Sequence, residues 1–241
     1  SCQRIKSAME TWQLIVAPKL SGSANMQFDL KLLNDLEKGL VSSTLRIYSW
    51  KPKCISLGYA QKMDRLIDAK MARVQGWDIV KRPTGGGIVF HNEAEVTYAL
   101  VTAIDNPVLP KGLVSSYKRI SEAIVFALNK IGIVAQIRNP KHETRNKSQL
   151  CFSYPAEYEI VVDRKKIVGS AQKRGKRALL QQGSIFVSNI DNSAYSVLKN
   201  SYEKQNAVSI EAVLGRKVSF EELSKALIKG FEERLGVKFK T

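Results

Sequence analysis

The segment Lys166-Ile167-Val168-Gly169-Ser170-Ala171-Gln172 decides what class of fold this chain adopts. It has the composition of a β-strand, and two further β-rich runs flank it at residues 157–162 and 179–187. The turn Asp163-Arg164-Lys165 separates the first two runs, and such a tight connection predicts antiparallel pairing. Three successive strands do not follow the strand-helix-strand rhythm of a parallel sheet.

The rest of the chain alternates between helices and short strands. Apolar residues at helical spacing predict a first amphipathic helix over 25–40. Ser219-x-x-Glu222 is a capping box that opens the last helix, and Gly236 closes it. Two more helices are predicted over 64–76 and 115–130, and six more strands over 11–16, 44–50, 54–59, 78–82, 88–91 and 96–102. We therefore expect an α+β fold with a mixed, largely antiparallel sheet flanked by helices.

Length and composition bound the class of protein. The 241 residues can bury a core without disulfides or metals, and 44% hydrophobic with 25% charged residues excludes a disordered or collagen-like chain. No repeat or low-complexity linker divides residues 9–241, which we expect to form a single domain, and residues 1–8 to be a tail or cloning remnant. No run approaches the roughly 18 apolar residues of a membrane-spanning helix, so a cytoplasmic location is expected. Three distant cysteines and two histidines predict no disulfide framework and no metal site.

The net charge of +16, with a pI near 9.8, is the one unusual feature of the composition. It indicates an acidic partner, which could be nucleic acid, an anionic membrane surface or an acidic protein. Seven basic residues and no acidic one lie between Arg164 and Arg177. Taken alone, this cluster is better interpreted as a solvated basic hairpin than as a functional patch.

The first candidate site is Arg82-Pro83-Thr84-Gly85-Gly86-Gly87, followed by a strand that ends at His91. Three glycines in a row are expected where the chain turns through positive φ or where a ligand touches the backbone. Their N–H groups could face an anion or a carbonyl oxygen, with the Arg82 charge beside them. The pattern is neither a Walker loop nor GxGxxG. A glycine-rich hairpin turn is the alternative, although such a turn needs only one or two glycines.

The second candidate is Gly169-Ser170-Ala171. Within a strand these small residues fill a core poorly and leave room for a ligand. Strand alternation predicts that Lys166 shares a face with Val168 and Ser170, opposite to Gly169 and Ala171. Small side chains beside one lysine suit an acyl chain or a flat cofactor with a carbonyl at one end. A strand packed against a crowded neighbour would show the same pattern.

The third candidate is Cys151, in an irregular stretch before the hairpin that carries Lys166. A thiol is a nucleophile only as thiolate, and a nearby ammonium lowers the pKa of a cysteine from about 8.5. Lys166 would supply that ammonium if the two segments cross. The alternative is a buried structural cysteine, which is the interpretation favoured for Cys54 in its apolar strand.

Together these segments resemble the biotin/lipoate protein ligase and octanoyltransferase superfamily. The resemblance is carried by the glycine loop through His91, by residues 166–172 and by Gln181-Gln182-Gly183-Ser184-Ile185. Cys151-Phe152, Tyr158-Glu159 and the Gly-Ser-Ala-Gln block are most similar to the cysteine-dependent octanoyltransferases of the LipM type. Gly87 stands where these transferases commonly have arginine, and Gln182 where family members usually have histidine.

The resemblance implies the catalytic-domain fold of that superfamily and an octanoyltransferase of lipoate biosynthesis. Such an enzyme moves an octanoyl group from acyl carrier protein to a lysine of a lipoyl-domain protein, either the glycine cleavage H protein or a dehydrogenase E2 subunit. Cys151 and Lys166 would be catalytic, with the acyl group held on Cys151 as a thioester. The substrate would be bound by Arg82, Thr84, Gly85, Gly86, Gly87, His91, Gly169, Ser170 and Ala171. No cofactor, membrane or nucleic acid is then expected as a partner.

Two alternatives remain. An ATP-dependent lipoate or octanoate ligase would use Lys166 and the glycine loop to hold an acyl-adenylate, with ATP and Mg²⁺ as requirements and Cys151 as a bystander. A basic nucleic-acid-binding module would use the high pI, but the chain lacks interleaved stacking aromatics and any recognition-helix or RNP-like motif.

Overall fold

The computed structural model describes residues 9–17, 19–138, 158–190, 192–199 and 206–241. Its helices are α1 (Gly22–Glu37), α2 (Met63–Leu66), α3 (Ala69–Val74), α4 (Leu113–Lys130), α5 (Ile210–Leu214) and α6 (Phe220–Leu235). Its strands are β1 (Glu10–Val16), β2 (Thr44–Tyr48), β3 (Cys54–Leu57), β4 (Asp78–Lys81), β5 (Val89–His91), β6 (Val96–Ala103), β7 (Gln136–Ile137), β8 (Ile160–Val162), β9 (Lys165–Arg174), β10 (Ala178–Ile185) and β11 (Val237–Lys240). A short 3-10 helix spans Asn192–Val197.

The strands form two sheets. The large sheet has eight strands in the order β11-β1-β2-β6-β10-β9-β8-β7, and the small sheet has three in the order β4-β3-β5. Strand β1 runs parallel to β2 and β11, and β3 runs parallel to β4, whereas the other pairings are antiparallel. The α+β fold with a mixed, largely antiparallel sheet is therefore confirmed.

The hairpin expected around residue 164 is present. Strands β8 and β9 pair in antiparallel fashion across a turn in which Asp163 and Arg164 have φ values of 47° and 64°. Positive φ at both central residues gives a turn whose twist matches that of the flanking strands. Strand β10 then pairs with β9 along most of its length, so this part of the sheet follows chain order.

One expectation about local structure was wrong. The predicted helix over 64–76 is divided into α2 and α3, because Ile67 is extended and bridges to Leu198 while Asp68 caps α3 by accepting from the Met71 N–H. Strands β2 and β3 are consecutive in the chain but belong to different sheets. The capping box at Ser219 and the left-handed Gly236 bound α6 as expected.

The two faces of the large sheet are covered by different elements. Helices α4 and α6 pack on one face, where the core includes Tyr98, Val168 and Phe231. On the second face, α1 and the small sheet share a core that includes Met26 of α1, Cys54 of β3 and Trp50, which follows β2. The small sheet therefore lies over the second face of the large sheet, beside α1.

The proposed division of the chain stays a prediction, and residues 1–8 lie outside the described ranges. None of the helices in those ranges combines the length and apolar character needed to cross a bilayer.

Candidate active site

A cavity lies between the two sheets, beside α1. Gly169 and Ala171 from β9 and Gly183 from β10 line one side of it. Its lining includes these residues predicted as substrate-binding: Arg82, Thr84, His91, Gly169, Ser170 and Ala171. Segments that are far apart in the chain therefore meet at one cavity, as expected for a binding site.

A β-bulge interrupts the pairing of β8 with β9. Ile160 lies opposite Val168, but the next residue of β8, Val161, lies opposite Lys166. Ile167 is consequently an extra residue without a partner of its own on β8. Ile160, Ile167 and Val168 all belong to the core beneath α4 and α6. A bulge of this kind changes the face to which the following side chains point.

The bulge overturns the predicted facing of Lys166. Simple alternation would place this lysine with Val168 and Ser170, on the side of α4 and α6. Instead Lys166 shares the opposite face with Gly169 and Ala171, which is the face that lines the cavity. Gly169 follows Lys166 by three positions, which corresponds to about 10 Å of extended strand.

Lys166 forms a buried ion pair with Glu159, which was not predicted as a site residue. Its Nζ lies 2.6 Å from Oε1 of Glu159, and each side chain is 4% exposed. Arg138 approaches the other oxygen of Glu159, with Nη1 4.0 Å from Oε2. The backbone N–H of Lys166 donates to the carbonyl of Asn206, and its carbonyl accepts from Val208. The carboxylate of Glu159 thus holds the ammonium, and the pairing with residues 206–208 holds the backbone of the same residue.

The glycine loop is a crossover and not a hairpin turn. Strands β4 and β5 flank β3 on opposite sides, so residues 82–88 pass across the end of β3. Gly86 adopts a φ of 90°. The loop also approaches Gly58 so closely that a Cβ added there would lie 2.0 Å from the Gly86 carbonyl oxygen. Within the described residues, the N–H groups of Gly85, Gly86 and Gly87 donate to no protein acceptor.

The buried Arg82 side chain stabilises this loop by hydrogen bonds to its carbonyl groups. Its guanidinium donates to the carbonyls of Gly85 and Gly87 at 2.8 and 2.6 Å, and to the carbonyl and Oγ of Ser56 at 2.9 and 3.0 Å. The side chain is buried and lines the cavity. Its described contacts therefore shape the loop, and its role toward a substrate stays a prediction.

His91 belongs to a second buried network at the cavity wall. Its Nε2 lies 2.7 Å from Oγ of Ser56, and its Nδ1 lies 2.6 Å from Oε1 of Glu95. The ring stacks on Trp50 with centroids 4.0 Å apart. Thr97 links the two partners, because it donates to Glu95 and accepts from Trp50. Both ring nitrogens are engaged, so His91 orients its neighbours while its ring lines the cavity.

Gln182 connects the glycine loop to a buried charge pair. Its Nε2 donates to Oδ2 of Asp29 at 2.6 Å, and its Oε1 accepts from Oγ1 of Thr84 at 2.8 Å. Asp29 also accepts from Arg46 at 2.7 Å and from the Tyr48 hydroxyl at 2.8 Å. Burial raises the pKa of Asp29, and the Arg46 charge opposes this shift. Burial, with the Asp29 charge, raises the pKa of Tyr48 well above its ordinary value, so the hydroxyl stays a donor.

The sequence contained a signal for this network that was missed. Asp29 interrupts the apolar face of α1, since it follows Met26 by three residues and precedes Leu33 by four. Arg46 lies within a strand whose other residues are all buried. A charged residue at a core position of a helix, with another in a buried strand, indicates an ion pair between them.

Of the three cysteines, Cys54 lies within the described residues, whereas Cys2 and Cys151 do not. Cys54 is buried, and burial raises the pKa of its thiol, so it stays protonated and inert. Cys2 and Cys151 lie outside the described residues, so the predicted meeting of Cys151 with Lys166 stays a prediction. In the part of the chain that is described, no three His, Cys, Asp or Glu side chains come together in a way that could hold a metal ion.

Known proteins and a protein-family model match most of the chain. Residues 21–232 match the model of the lipoyl protein ligase A/B catalytic domain. The chain is 36% identical over 245 residues to octanoyltransferase LipM of Kyrpidia tusciae, with 95% of this chain and 89% of that protein covered. It is 34% identical over 243 residues to octanoyltransferase LipM of Clostridioides difficile, with 96% and 89% covered.

Solved structures share the fold at lower identity. A bipartite lipoate protein ligase from Thermoplasma acidophilum superposes with a TM-score of 0.72 at 22% identity, covering 97% of this chain and 86% of that chain. A lipoate-protein ligase A bound with ATP superposes with a TM-score of 0.74 at 21% identity, covering 97% and 88%. At this level of identity the likeness establishes the fold.

Proposed function

Because this chain belongs to the family of lipoyl protein ligase A/B catalytic domains, we propose that it is an octanoyltransferase of lipoate biosynthesis. The family expected from the sequence is confirmed by the match over residues 21–232. The enzyme is an acyltransferase that places an octanoyl group on a lysine of a lipoyl-domain protein. Octanoyl-acyl carrier protein is the donor, and the glycine cleavage H protein or a dehydrogenase E2 subunit is the acceptor.

The cavity between the sheets is the observation that carries this proposal. Gly169 and Ala171 leave the space open, and Met26, Trp50 and Val89 add apolar surface. An alkyl chain gains roughly 0.8 kcal/mol for each methylene that leaves water. The cavity therefore suits an octanoyl chain, while Lys166 lies further along the same face of β9, where the carbonyl end would be placed.

The first half-reaction loads the enzyme. The Cys151 thiolate attacks the carbonyl carbon of the octanoyl thioester, a new S–C bond forms, and the bond to the carrier's sulfur breaks. The departing thiolate keeps the electron pair of that bond and takes a proton from solvent. The Lys166 ammonium favours the thiolate form of Cys151 and hydrogen-bonds the acyl carbonyl.

The second half-reaction transfers the acyl group to the acceptor. The neutral amine of the acceptor lysine attacks the same carbonyl, a C–N bond forms, the Sγ–C bond breaks and the amine proton passes to water. The N–H groups of Gly85, Gly86 and Gly87 donate to no acceptor among the described residues, which supports a role for them in stabilising the oxyanion in both steps. Conversion of a thioester to an amide runs downhill, so no nucleotide cofactor is required.

The decisive experiment is intact-mass analysis after mixing the protein with octanoyl-acyl carrier protein. An octanoyl adduct on the native protein is expected, and it should be lost in Cys151→Ala. The matched control is Cys54→Ala, which should retain the adduct because this thiol is buried and inert. Lys166→Ala should form the adduct more slowly.

Two results would contradict the proposal. Absence of an adduct on the native protein, or an adduct that persists in Cys151→Ala, would rule out the relay. Exchange of pyrophosphate into ATP that depends on a free fatty or lipoic acid would instead identify the adenylate-forming alternative.

A further inference from the structure

One hydroxyl in the wall of the cavity has no hydrogen-bond partner in the protein. Ser184 lies on β10, is 4% exposed and lines the cavity. Among the described residues its Oγ makes no hydrogen bond, and no other buried side-chain nitrogen or oxygen of the described cavity lining is unpaired. A buried hydroxyl without a partner costs free energy, so its presence in a binding cavity indicates that a bound molecule supplies the partner.

Other polar side chains of the cavity wall are already paired to protein groups. Thr84 donates to Gln182, and Thr97 donates to Glu95. Both ring nitrogens of His91 are engaged. A ligand that enters the cavity with one polar atom therefore meets one described side chain that still has a hydrogen bond to give.

Strand pairing places this hydroxyl at the Lys166 end of the cavity. Ser184 lies opposite Gly169 of β9, and Gln182 lies opposite Ala171. Directly opposed residues of antiparallel strands project to the same face, with Cα atoms about 4.5–5.5 Å apart. Gly169 has no side chain that could cover the hydroxyl. Among the paired positions of β9 and β10 that line the cavity, the pair of Ser184 and Gly169 is the nearest in register to Lys166.

We infer that the Ser184 hydroxyl donates a hydrogen bond to the carbonyl oxygen of the acyl group held in this cavity. The inference rests on the proposed function and extends it to a residue that positions the reacting carbonyl. An octanoyl group has one polar atom, its carbonyl oxygen, and this atom matches the one unpaired hydroxyl. The alkyl chain then extends past Ala171 and Gln182 toward Met26, which contacts Gln182 and lines the cavity.

The same hydrogen bond assists the reaction. When a thiolate adds to the carbonyl carbon, the carbonyl oxygen gains negative charge, and a hydrogen bond to a charged acceptor is stronger than one to a neutral acceptor. Ser184 therefore contributes more to the tetrahedral intermediate than to the bound thioester, and its loss should slow acylation as well as weaken binding.

Calorimetric titration tests the hydrogen bond without the transfer reaction. In the Cys151→Ala background, octanoyl-N-acetylcysteamine is compared with S-octyl-N-acetylcysteamine, a thioether in which a methylene replaces the carbonyl. Adding Ser184→Ala should lower the ratio of thioester affinity to thioether affinity about tenfold, because only the thioester loses a hydrogen bond. Adding Ser184→Thr, which keeps a hydroxyl, should preserve the ratio.

Acylation kinetics provide the second measurement. With Cys151 present, Ser184→Ala should slow adduct formation from octanoyl-N-acetylcysteamine roughly tenfold or more. The matched control is Ser224→Ala. Ser224 is also 4% exposed with an unpaired hydroxyl, but it lies on α6, on the other face of the large sheet. This variant should acylate at the native rate, and neither change should lower the melting temperature of the ligand-free protein, since each removes a buried hydroxyl without a partner.

The outcomes separate this inference from the proposed function. An unchanged affinity ratio in Ser184→Ala, or no binding of octanoyl-N-acetylcysteamine in the Cys151→Ala background, would overturn the inference. Native adduct formation in Ser184→Ala would also overturn it and leave the transferase intact. If the affinity ratio changes as expected but the native protein forms no adduct with any octanoyl donor, the octanoyltransferase assignment fails while the hydrogen bond stands.

Discussion

The carboxylate of Glu159 holds the ammonium on which the proposed thiolate depends. Glu159 and Lys166 are both buried, and their charged atoms are 2.6 Å apart. Removing one member of a buried pair leaves an uncompensated charge, whereas removing both does not. Residue identity alone does not reveal this dependence, because Glu159 precedes β8 and Lys166 lies on β9.

Glu159→Gln should lower the free energy of unfolding by about 3–5 kcal/mol. Glu159→Gln/Lys166→Met should be more stable than Glu159→Gln, since no buried ammonium is then left without its carboxylate. Urea denaturation followed by circular dichroism measures both. Additive losses in the double variant would show that the pair is not coupled as its geometry indicates.

Arg46→Leu should make stability fall as the pH rises. Burial already raises the pKa of Asp29, and loss of the opposing Arg46 charge raises it further. A carboxyl whose pKa is higher in the folded than in the unfolded chain stabilises the fold below its unfolded pKa. That stabilisation is lost as the pH rises through the folded value.

The free energy of unfolding of Arg46→Leu, measured in urea between about pH 5 and pH 8, should therefore decline relative to that of the native protein. Asp29→Asn/Arg46→Leu is the control, because it has no carboxyl at this position and should lack the added slope. The same pH dependence of the free energy of unfolding in both variants would show that Asp29 is not its cause.

The glycine loop crosses the end of β3 in close contact with Gly58. A methyl group on Gly58 would collide with the Gly86 carbonyl oxygen, which is backbone and cannot rotate away. Gly58→Ala should therefore displace the loop and slow adduct formation by roughly tenfold or more, because misplaced oxyanion donors typically cost that much.

Gly76→Ala is the control for Gly58→Ala. Gly76 has a φ of 74° with open space around it, so the change should reduce stability by about 1 kcal/mol and leave the acylation rate unchanged. Stopped-flow acylation and thermal unfolding distinguish the two effects. A native rate in Gly58→Ala would mean that the loop position does not matter for acylation.

The charge of the whole molecule should govern its encounter with the donor. A net charge of +16 steers an acidic carrier protein toward the enzyme, and salt screens that attraction. The rate of acylation by octanoyl-acyl carrier protein should fall steeply between about 0.05 and 0.5 M salt, whereas the rate with uncharged octanoyl-N-acetylcysteamine should stay nearly constant. Parallel salt dependence for the two donors would exclude steering.

Much of the fold could be predicted from the sequence, because its signals are local. Period-two and helical spacing located most of the strands and helices, and the capping box at Ser219 with Gly236 set both ends of α6. The short strands β7 and β11 were missed, since two to four residues carry little periodic signal. Arg82 and Thr84 line the same cavity as the Gly169-Ser170-Ala171 block, whereas Gly85, Gly86 and Gly87 are not among its described lining residues, and substrate binding by all of these residues stays a prediction.

The sequence by itself determined the class of fold and the family, since composition, spacing and motif are properties of contiguous residues. Tertiary structure alone decided which strands are neighbours, that β2 and β3 enter different sheets, and that Lys166 shares a face of β9 with Gly169 and Ala171. It also decided that Gln182 joins Asp29 to Thr84. These outcomes depend on sheet order and on one bulge, and register between distant strands is set by the packing of the whole core, which no local pattern encodes.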